Sequence, residues 1–216
     1  KLEKDVFGVE TNNALQPKID KIYAYTKQNT VVAPSLLTRL NAVEWNLTHT
    51  VSFQPVKTRI ENLERTMLGN SETGSFHSRI IKLSKLAFTE GQIEAADTII
   101  AKDTLIRIRL LSNLDSRKNR PGDTVVFRAA EDIYVGGMLA IPKGAKGLGK
   151  VRTVEQAKNF GRDAKIEVSF DSIEAVDGSL VSTLLGEKAK EHTKSMALAA
   201  GASVAGIAIF GPVGIV

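Results

Sequence analysis

The stretch KLEKDVFG at Lys1–Gly8 returns in altered form as NLERTMLG at Asn62–Gly69. After a variable first position, both copies read Leu-Glu, a basic residue, two variable positions, an apolar residue and Gly. The residues that follow also correspond without a gap, because Leu15, Lys18, Ile19 and Ile22 match Phe76, Arg79, Ile80 and Leu83. This correspondence predicts that residues 1–92 are built from an internal repeat.

A shorter signature predicts the secondary structure of this region. An apolar residue is followed by a basic residue three positions later and by apolar residues four and seven positions later, and the pattern occurs four times, about 20 residues apart. Apolar residues at this spacing lie on one face of a helix. Because short helices cannot fold alone, residues 1–92 are predicted to form a small bundle or array of four helical repeats. The two copies between those already quoted are Leu36, Arg39, Leu40, Val43 and Val56, Arg59, Ile60, Leu63.

The basic residue of the signature has two interpretations. It lies beside the apolar face, where a long side chain can cover apolar surface and extend its charged end into water. The pattern favours this snorkelling position at a helix interface over the alternative, which is binding of an anion or a partner. A repeat of this kind is typical of packing, spacing or self-association rather than of an active site.

From Thr98 onward the pattern changes to a period of two residues. Within Ile99–Leu111, Arg107 and Arg109 alternate with isoleucines, which predicts a half-buried strand. Asp177-Gly178 is a hairpin-turn dipeptide between two further apolar runs. Turn residues recur between the predicted strands, so residues 98–186 are predicted to form a small antiparallel β-barrel or sandwich, and the chain belongs to the α+β class.

The motifs that could support catalysis are incomplete. Gly144–Lys150 matches the glycine and lysine positions of a phosphate-binding loop, but Val151 replaces the hydroxyl residue, and a strand is predicted where that motif needs a helix. The chain has no cysteine, and its three histidines are far apart in the sequence. We therefore expect no enzymatic activity, no cofactor, no metal site and no small-molecule substrate.

The net charge of +5 is unevenly distributed. Residues 143–165 contain seven basic residues against two acidic ones. This composition favours an ordinary solvated strand face, and the alternative is a surface for an anionic partner. Nucleic acid is not expected as that partner, because Phe160 is the only aromatic residue in the stretch. The candidate anion-binding residues are Lys143, Lys146, Lys150, Arg152 and Arg162.

Several motifs of residues 98–186 resemble the barrel domain of the envelope-spanning subunit of bacterial type IV secretion systems. Lys102–Leu105 lies where that family has its opening motif. Ile141–Gly144 matches its Ile-Pro-Lys-Gly turn, with Gly149 as the later glycine, and Asp177-Gly178 matches its last hairpin. The resemblance implies a β-barrel in the periplasm or cell envelope, associated with the outer membrane and with other envelope proteins. The N-terminal repeats resemble uncharacterised bacterial envelope proteins.

Residues 187–216 form a Gly/Ala-rich tail whose last 22 residues, Ser195–Val216, carry no charge. In the secretion subunit an apolar helical hairpin follows the corresponding strand, and its copies line an opening in the outer membrane. A helix of this length could cross a bilayer, and small residues four positions apart would let such helices pack closely. We therefore predict a helical hairpin or tail that acts as a glycine zipper, with packing on the protein's own barrel or an arbitrary chain boundary as alternatives. Its packing residues are Ala197, Gly201, Ala205, Gly206 and Gly211.

These features together predict a non-enzymatic structural or assembly protein of the bacterial cell envelope. It is expected to form homo-oligomers through its helical repeats and its tail. The alternative is a soluble periplasmic module that binds an anionic ligand or polymer on a basic face of the barrel. The first residue is Lys rather than Met, which fits either a removed signal peptide or a chosen boundary. The apolar character up to Val216 predicts that the natural chain continues.

Overall fold

The computed structural model describes residues 1–29, 33–93, 98–101, 104–156 and 164–184, and the backbone of 205–210 and 214–215. The chain divides into two compact units. The helical unit comprises Lys1–Asp97 together with Val176–Ser179, and the sheet unit comprises Thr98–Ala175 and Leu180–Val216.

In the described part of the helical unit, five α-helices follow one another and a short 3-10 turn at Thr89–Gly91 ends the series. All four copies of the signature lie on helices, which confirms the helical prediction. The apolar signature residues of α3, α4 and α5 meet in the core of the unit, where burial of each side chain contributes about 1.5–3 kcal/mol. The helices are α1 Leu2–Phe7, α2 Leu15–Lys27, α3 Leu36–Thr48, α4 Val56–Leu68 and α5 Phe76–Ala87. The buried core residues are Leu36, Leu40, Val43, Ile60, Leu63, Ile80 and Leu83.

Local capping chemistry determines where the helices begin and end. Gly8, His49 and Gly69 follow α1, α3 and α4, and each has a left-handed backbone with φ of 84°, 51° and 85°. A residue in this conformation turns the chain away from the helix, and glycine adopts it without a steric penalty. Ser35 and Ser75 precede α3 and α5, and their hydroxyls accept hydrogen bonds from first-turn N–H groups.

The sheet unit contains a six-stranded antiparallel sheet with the order β8-β7-β6-β3-β2-β9, and two separate pairs, β1-β10 and β4-β5. The large sheet curls into a half-barrel. The predicted α+β class and antiparallel sheet are therefore confirmed. The strands are β1 Ile99–Ile100, β2 Leu105–Leu110, β3 Thr124–Ala129, β4 Ile133–Val135, β5 Met138–Ile141, β6 Lys146–Glu155, β7 Lys165–Glu174, β8 Leu180–Ser182, β9 Ala205–Phe210 and β10 Gly214–Ile215.

The inner face of the sheet is packed around two aromatic rings. Phe127 on β3 and Phe170 on β7 are both buried and meet edge to face, with 5.2 Å between ring centroids. Gly147 on β6 lies directly opposite Phe127, and a Cβ atom there would be 2.0 Å from the ring. Glycine is therefore required where the aromatic ring covers the neighbouring strand. The same glycine-rich segment places Gly149 inside β6 rather than before a helix, unlike a phosphate-binding loop.

The helical prediction for the tail is wrong at residues 205–210 and 214–215, which are strands. Strand β9 pairs with β2, so Ala205 and Gly206 lie on an extended chain, where a four-residue spacing does not form a helical ridge. The physical reason is the exposed edge of β2, whose backbone groups need partners, together with the strand preference of Ile207 and Ile209.

The other residues of the predicted zipper, Ala197, Gly201 and Gly211, lie outside the described residues. Among the helices that the structure describes, none is long and apolar enough to cross a membrane. The sequence pattern led to a helical prediction for the tail because a run of small and apolar residues fits both a helix and a buried strand.

Candidate functional site

The best-defined polar cluster of the helical unit joins α4 to α5. Arg79 donates two hydrogen bonds to Glu64, from Nε to Oε1 and from Nη2 to Oε2, both at 2.7 Å. The backbone N–H of Glu72, in the loop between the helices, donates to Glu64 Oε2 at 3.0 Å. Both charged side chains are buried, at 6% and 1% relative exposure. This two-pronged arrangement is the strongest geometry for an arginine and a carboxylate.

The junction between α3 and α4 repeats this arrangement. Arg59 donates to Glu44 Oε2 from Nη2 at 2.6 Å and from Nε at 3.1 Å. The backbone N–H of Ser52 donates to the same oxygen at 2.8 Å. Asn41 adds an acceptor, because its Oδ1 lies 2.7 Å from Arg59 Nη2. A buried glutamate again joins the end of one helix, the following loop and the next helix.

A looser version connects α1 to α2. Thr11 donates to Glu3 from its backbone N–H at 2.8 Å and from its hydroxyl at 2.9 Å, and Lys18 Nζ lies 3.8 Å from the carboxylate. In all three junctions the glutamate accepts a backbone hydrogen bond from eight residues later and pairs with a base fifteen residues later. We call these three clusters the repeat junctions.

The repeat junctions correct the snorkelling prediction for Arg59 and Arg79. Both guanidinium groups are buried rather than extended into water, because the preceding helix supplies a buried carboxylate for each. The glutamates were missed as partners, although the Leu-Glu pair was visible in the repeat. The constant separation of fifteen residues between an acid and a base was the signal that could have identified them.

Hydrogen bonding changes the pKa values in these junctions. Burial raises the pKa of Glu64, but the hydrogen bonds from Arg79 and from the Glu72 N–H more than compensate, so this pKa lies below its ordinary value. The hydrogen bond with Glu64 raises the pKa of Arg79. The Thr11 backbone N–H lowers the pKa of Glu3 despite the opposing effect of burial. Both carboxylates are therefore ionised at neutral pH.

Helix α2 departs from the other repeats. Ala24 occupies the position fifteen residues before Arg39, so no glutamate is available there, and Arg39 Nε donates to the Pro34 carbonyl at 3.1 Å instead. In addition to its junction with α1, the helix has Tyr25, whose ring centroid lies 5.1 Å from that of Phe7 and whose hydroxyl lies 2.6 Å from His77 Nδ1.

Two of the three apolar signature residues of α2, Leu15 and Ile19, are exposed, whereas the third, Ile22, is partly buried. Leu15 is 73% exposed, Ile19 is 48% exposed, and Tyr23, one turn further along, is 59% exposed. The equivalent residues on α3, such as Leu36 and Leu40, are buried. Residues at i, i+4 and i+8 lie along one side of a helix, so Leu15, Ile19 and Tyr23 form a continuous apolar surface that we call the α2 ridge.

The sheet unit brings basic residues together on its outer face. In the β2–β3 register Arg109 lies opposite Arg128, and in the β3–β6 register Arg128 lies opposite Lys146. Directly opposite residues point to the same side of a sheet. We call these three residues the cation row. Lys150 lies on the same face of β6, four residues after Lys146.

The predicted anion-binding residues are only partly brought together. Lys146 and Lys150 share the outer face, whereas the Arg152 guanidinium lies 3.5 Å from the Asp171 carboxylate. Lys143 lies in the turn before β6, and its backbone N–H donates to Asp132. Arg162 is outside the described residues. Arg109 and Arg128 were missed, because the strand register that places them beside Lys146 is not visible in the sequence.

Metal ligands are not clustered in the part of the chain that the structure describes, where no three His, Asp or Glu side chains are placed to hold an ion. No protein-family model matches the chain, and no curated protein matches it significantly.

Among solved structures, the chain is similar to ComB10 of the Com type IV secretion system of Helicobacter pylori, at 21% identity and a TM-score of 0.29. The match covers 43% of this chain and 47% of ComB10, so it spans about half the length of that protein. At this TM-score the likeness carries no functional argument.

Proposed function

We propose that this chain is a non-enzymatic assembly module of the bacterial cell envelope that binds a second copy of itself through the α2 ridge. The observation that carries the proposal is the exposure of Leu15 and Ile19, two apolar signature residues of α2. The same signature forms the core of the unit on α3, α4 and α5. The envelope location rests on the resemblance of the strand motifs in the sequence.

The repeat itself indicates the partner. The signature residues of the other repeats are covered by helices of the same repeat family, so the surface that fits an exposed signature is another copy of it. A second molecule offers that surface, and two α2 ridges can meet around a twofold axis, the commonest symmetry of protein dimers. The tail is not part of this proposal, because its described residues form strands rather than a helical zipper.

The size of the ridge suits the centre of an interface. Burial of Leu15 and Ile19 would contribute about 1.5–3 kcal/mol each, and Tyr23 adds an aromatic side chain of the type enriched in interfaces. A stable dimer buries about 800 Å² on each partner, so surrounding residues must also take part. Leu2 and Val9 are two other exposed apolar residues of the same unit.

The test is sedimentation velocity of the full chain over a range of concentrations, compared with the variant Leu15→Glu/Ile19→Glu. We expect a dimer for the unmodified chain and at least a hundredfold weaker association for the variant, since two charges would enter an apolar interface. Leu86→Glu is the matched control, because Leu86 is a 53% exposed leucine on α5. A monomeric unmodified chain, or equal weakening by the control, would contradict the proposal.

A further inference from the structure

We propose that the outer face of the sheet binds the surface of an anionic phospholipid membrane through the cation row, Arg109, Arg128 and Lys146. This inference is independent of the α2 ridge, because it rests on other residues in the other unit.

The register places the three cations side by side. They occupy directly opposite positions on the adjacent strands β2, β3 and β6. Neighbouring strands are about 4.8 Å apart, so the row extends across about 10 Å of the sheet. The residues next to them along the strands, among them Ile108, Ala129 and Gly147, are buried on the inner face. The row therefore faces away from the core of the unit.

No acid within the described residues forms an ion pair with any member of the row. Other cations of the same unit are paired, since Arg107 lies 3.6 Å from Glu131 and Arg152 lies 3.5 Å from Asp171. Like charges directly opposite each other destabilise a sheet. A local arrangement that opposes folding, with no compensating acid among the described residues, is typical of a functional surface.

The side chains of the cation row are suited to bind several phosphate groups that lie close together on one surface. The planar guanidinium of arginine can bind two phosphate oxygens at once. Val126 and Leu148 lie opposite each other on the same outer face, and Leu148 is exposed, so apolar groups adjoin the cations as in membrane-contacting surfaces. In strands β2, β3 and β6 the one aromatic side chain, Phe127, is buried. A base-stacking surface for single-stranded nucleic acid is therefore lacking there, and a phospholipid surface is the better match.

The test is co-sedimentation of the full chain at low salt with vesicles of equal parts phosphatidylglycerol and phosphatidylcholine, and with vesicles of phosphatidylcholine alone. We expect binding to the anionic vesicles only, and weaker binding as salt is added. In Arg109→Thr/Arg128→Thr/Lys146→Thr we expect about a hundredfold weaker binding, since each cation near an anionic surface contributes about fivefold. Threonine is used because it favours strands.

The matched control is Arg107→Thr/Arg152→Thr/Lys165→Thr, which removes the same number of charges from exposed strand positions. Each of these cations has an acidic partner, Glu131, Asp171 and Glu167 respectively. We expect this control to keep most of the binding. Circular dichroism verifies folding, and the single variant Arg128→Glu, which reverses the central charge, gives a second test if the triple variant unfolds.

Four results would overturn the inference. These are absence of binding to the anionic vesicles, equal binding to neutral vesicles, equal weakening by the control variant, and binding of soluble tripolyphosphate without any binding to vesicles. The last result would show a phosphate site that does not recognise a membrane.

Discussion

The helical unit and the sheet unit both have arginines at regular positions in the sequence, but the groups that surround these arginines differ in charge. In the helical unit Arg59 and Arg79 are buried against glutamates of the preceding helix. In the sheet Arg109 and Arg128 lie opposite each other on the outer face, without an acid beside them in the described residues. A basic side chain therefore stabilises the fold where an acid lies beside it in space. Where another basic side chain lies beside it, its charge remains available for binding.

The largest expected effect comes from breaking a repeat junction on one side. Arg79→Met leaves Glu64 buried without its charged partner, so we expect a loss of about 3–5 kcal/mol in the free energy of unfolding, measured by urea denaturation. The double variant Glu64→Leu/Arg79→Met removes both charges and should recover most of that loss. Arg65→Met is the control, because Arg65 pairs with Glu61 on the helix surface, and it should cost about 0.5 kcal/mol or less.

A double variant less stable than Arg79→Met, or a control that costs as much, would show that the ion pair is not what joins α4 to α5. The two variants and the control together distinguish a buried ion pair on which folding depends from surface charges that contribute little to stability.

Acidification should weaken the helical unit by a smaller amount. Glu64 has an ordinary pKa of 4.5, and its pKa in the folded chain is lower. Its contribution is therefore complete above about pH 4.5 and is lost as the pH falls through the folded-state pKa. We expect the free energy of unfolding to fall with pH in this acidic range, and to fall less steeply in Glu64→Gln. If the unmodified chain and Glu64→Gln had the same pH dependence, Glu64 would not be responsible for the loss of stability in acid.

The smallest effect is expected from giving the sheet an acid of its own. Arg128→Glu places a carboxylate between Arg109 and Lys146 and should stabilise the chain by about 0.2–1 kcal/mol, as seen in thermal unfolding at low salt. High salt should reduce the gain. Arg152→Glu is the opposite control, because it sets a second acid beside Asp171 and should destabilise slightly. If Arg128→Glu destabilised the chain, the cation row would not be a site of repulsion.

Sequence patterns predicted the helices and most of the sheet because those patterns record local preferences. The spacing of Leu36, Leu40 and Val43 is that of a helix face, and all three are buried in the core. The alternation around Arg107 and Arg109 is that of a half-buried strand, and β2 has it. The prediction of a helical tail failed at Ala205–Phe210. The sequence AGIAIF fits a helix and a strand equally well, and its pairing with the edge of β2 is not visible in the sequence.

The sequence by itself determined the repeat, the α+β class and the positions of the basic residues along the chain. Only the tertiary structure decided what each basic side chain faces. The pairing of Arg79 with Glu64 depends on how consecutive helices pack, and the meeting of Arg109, Arg128 and Lys146 depends on the register of three strands. Charge interactions act between neighbours in space, so local periodicity cannot distinguish a buried ion pair from a row of cations on the outer face of a sheet.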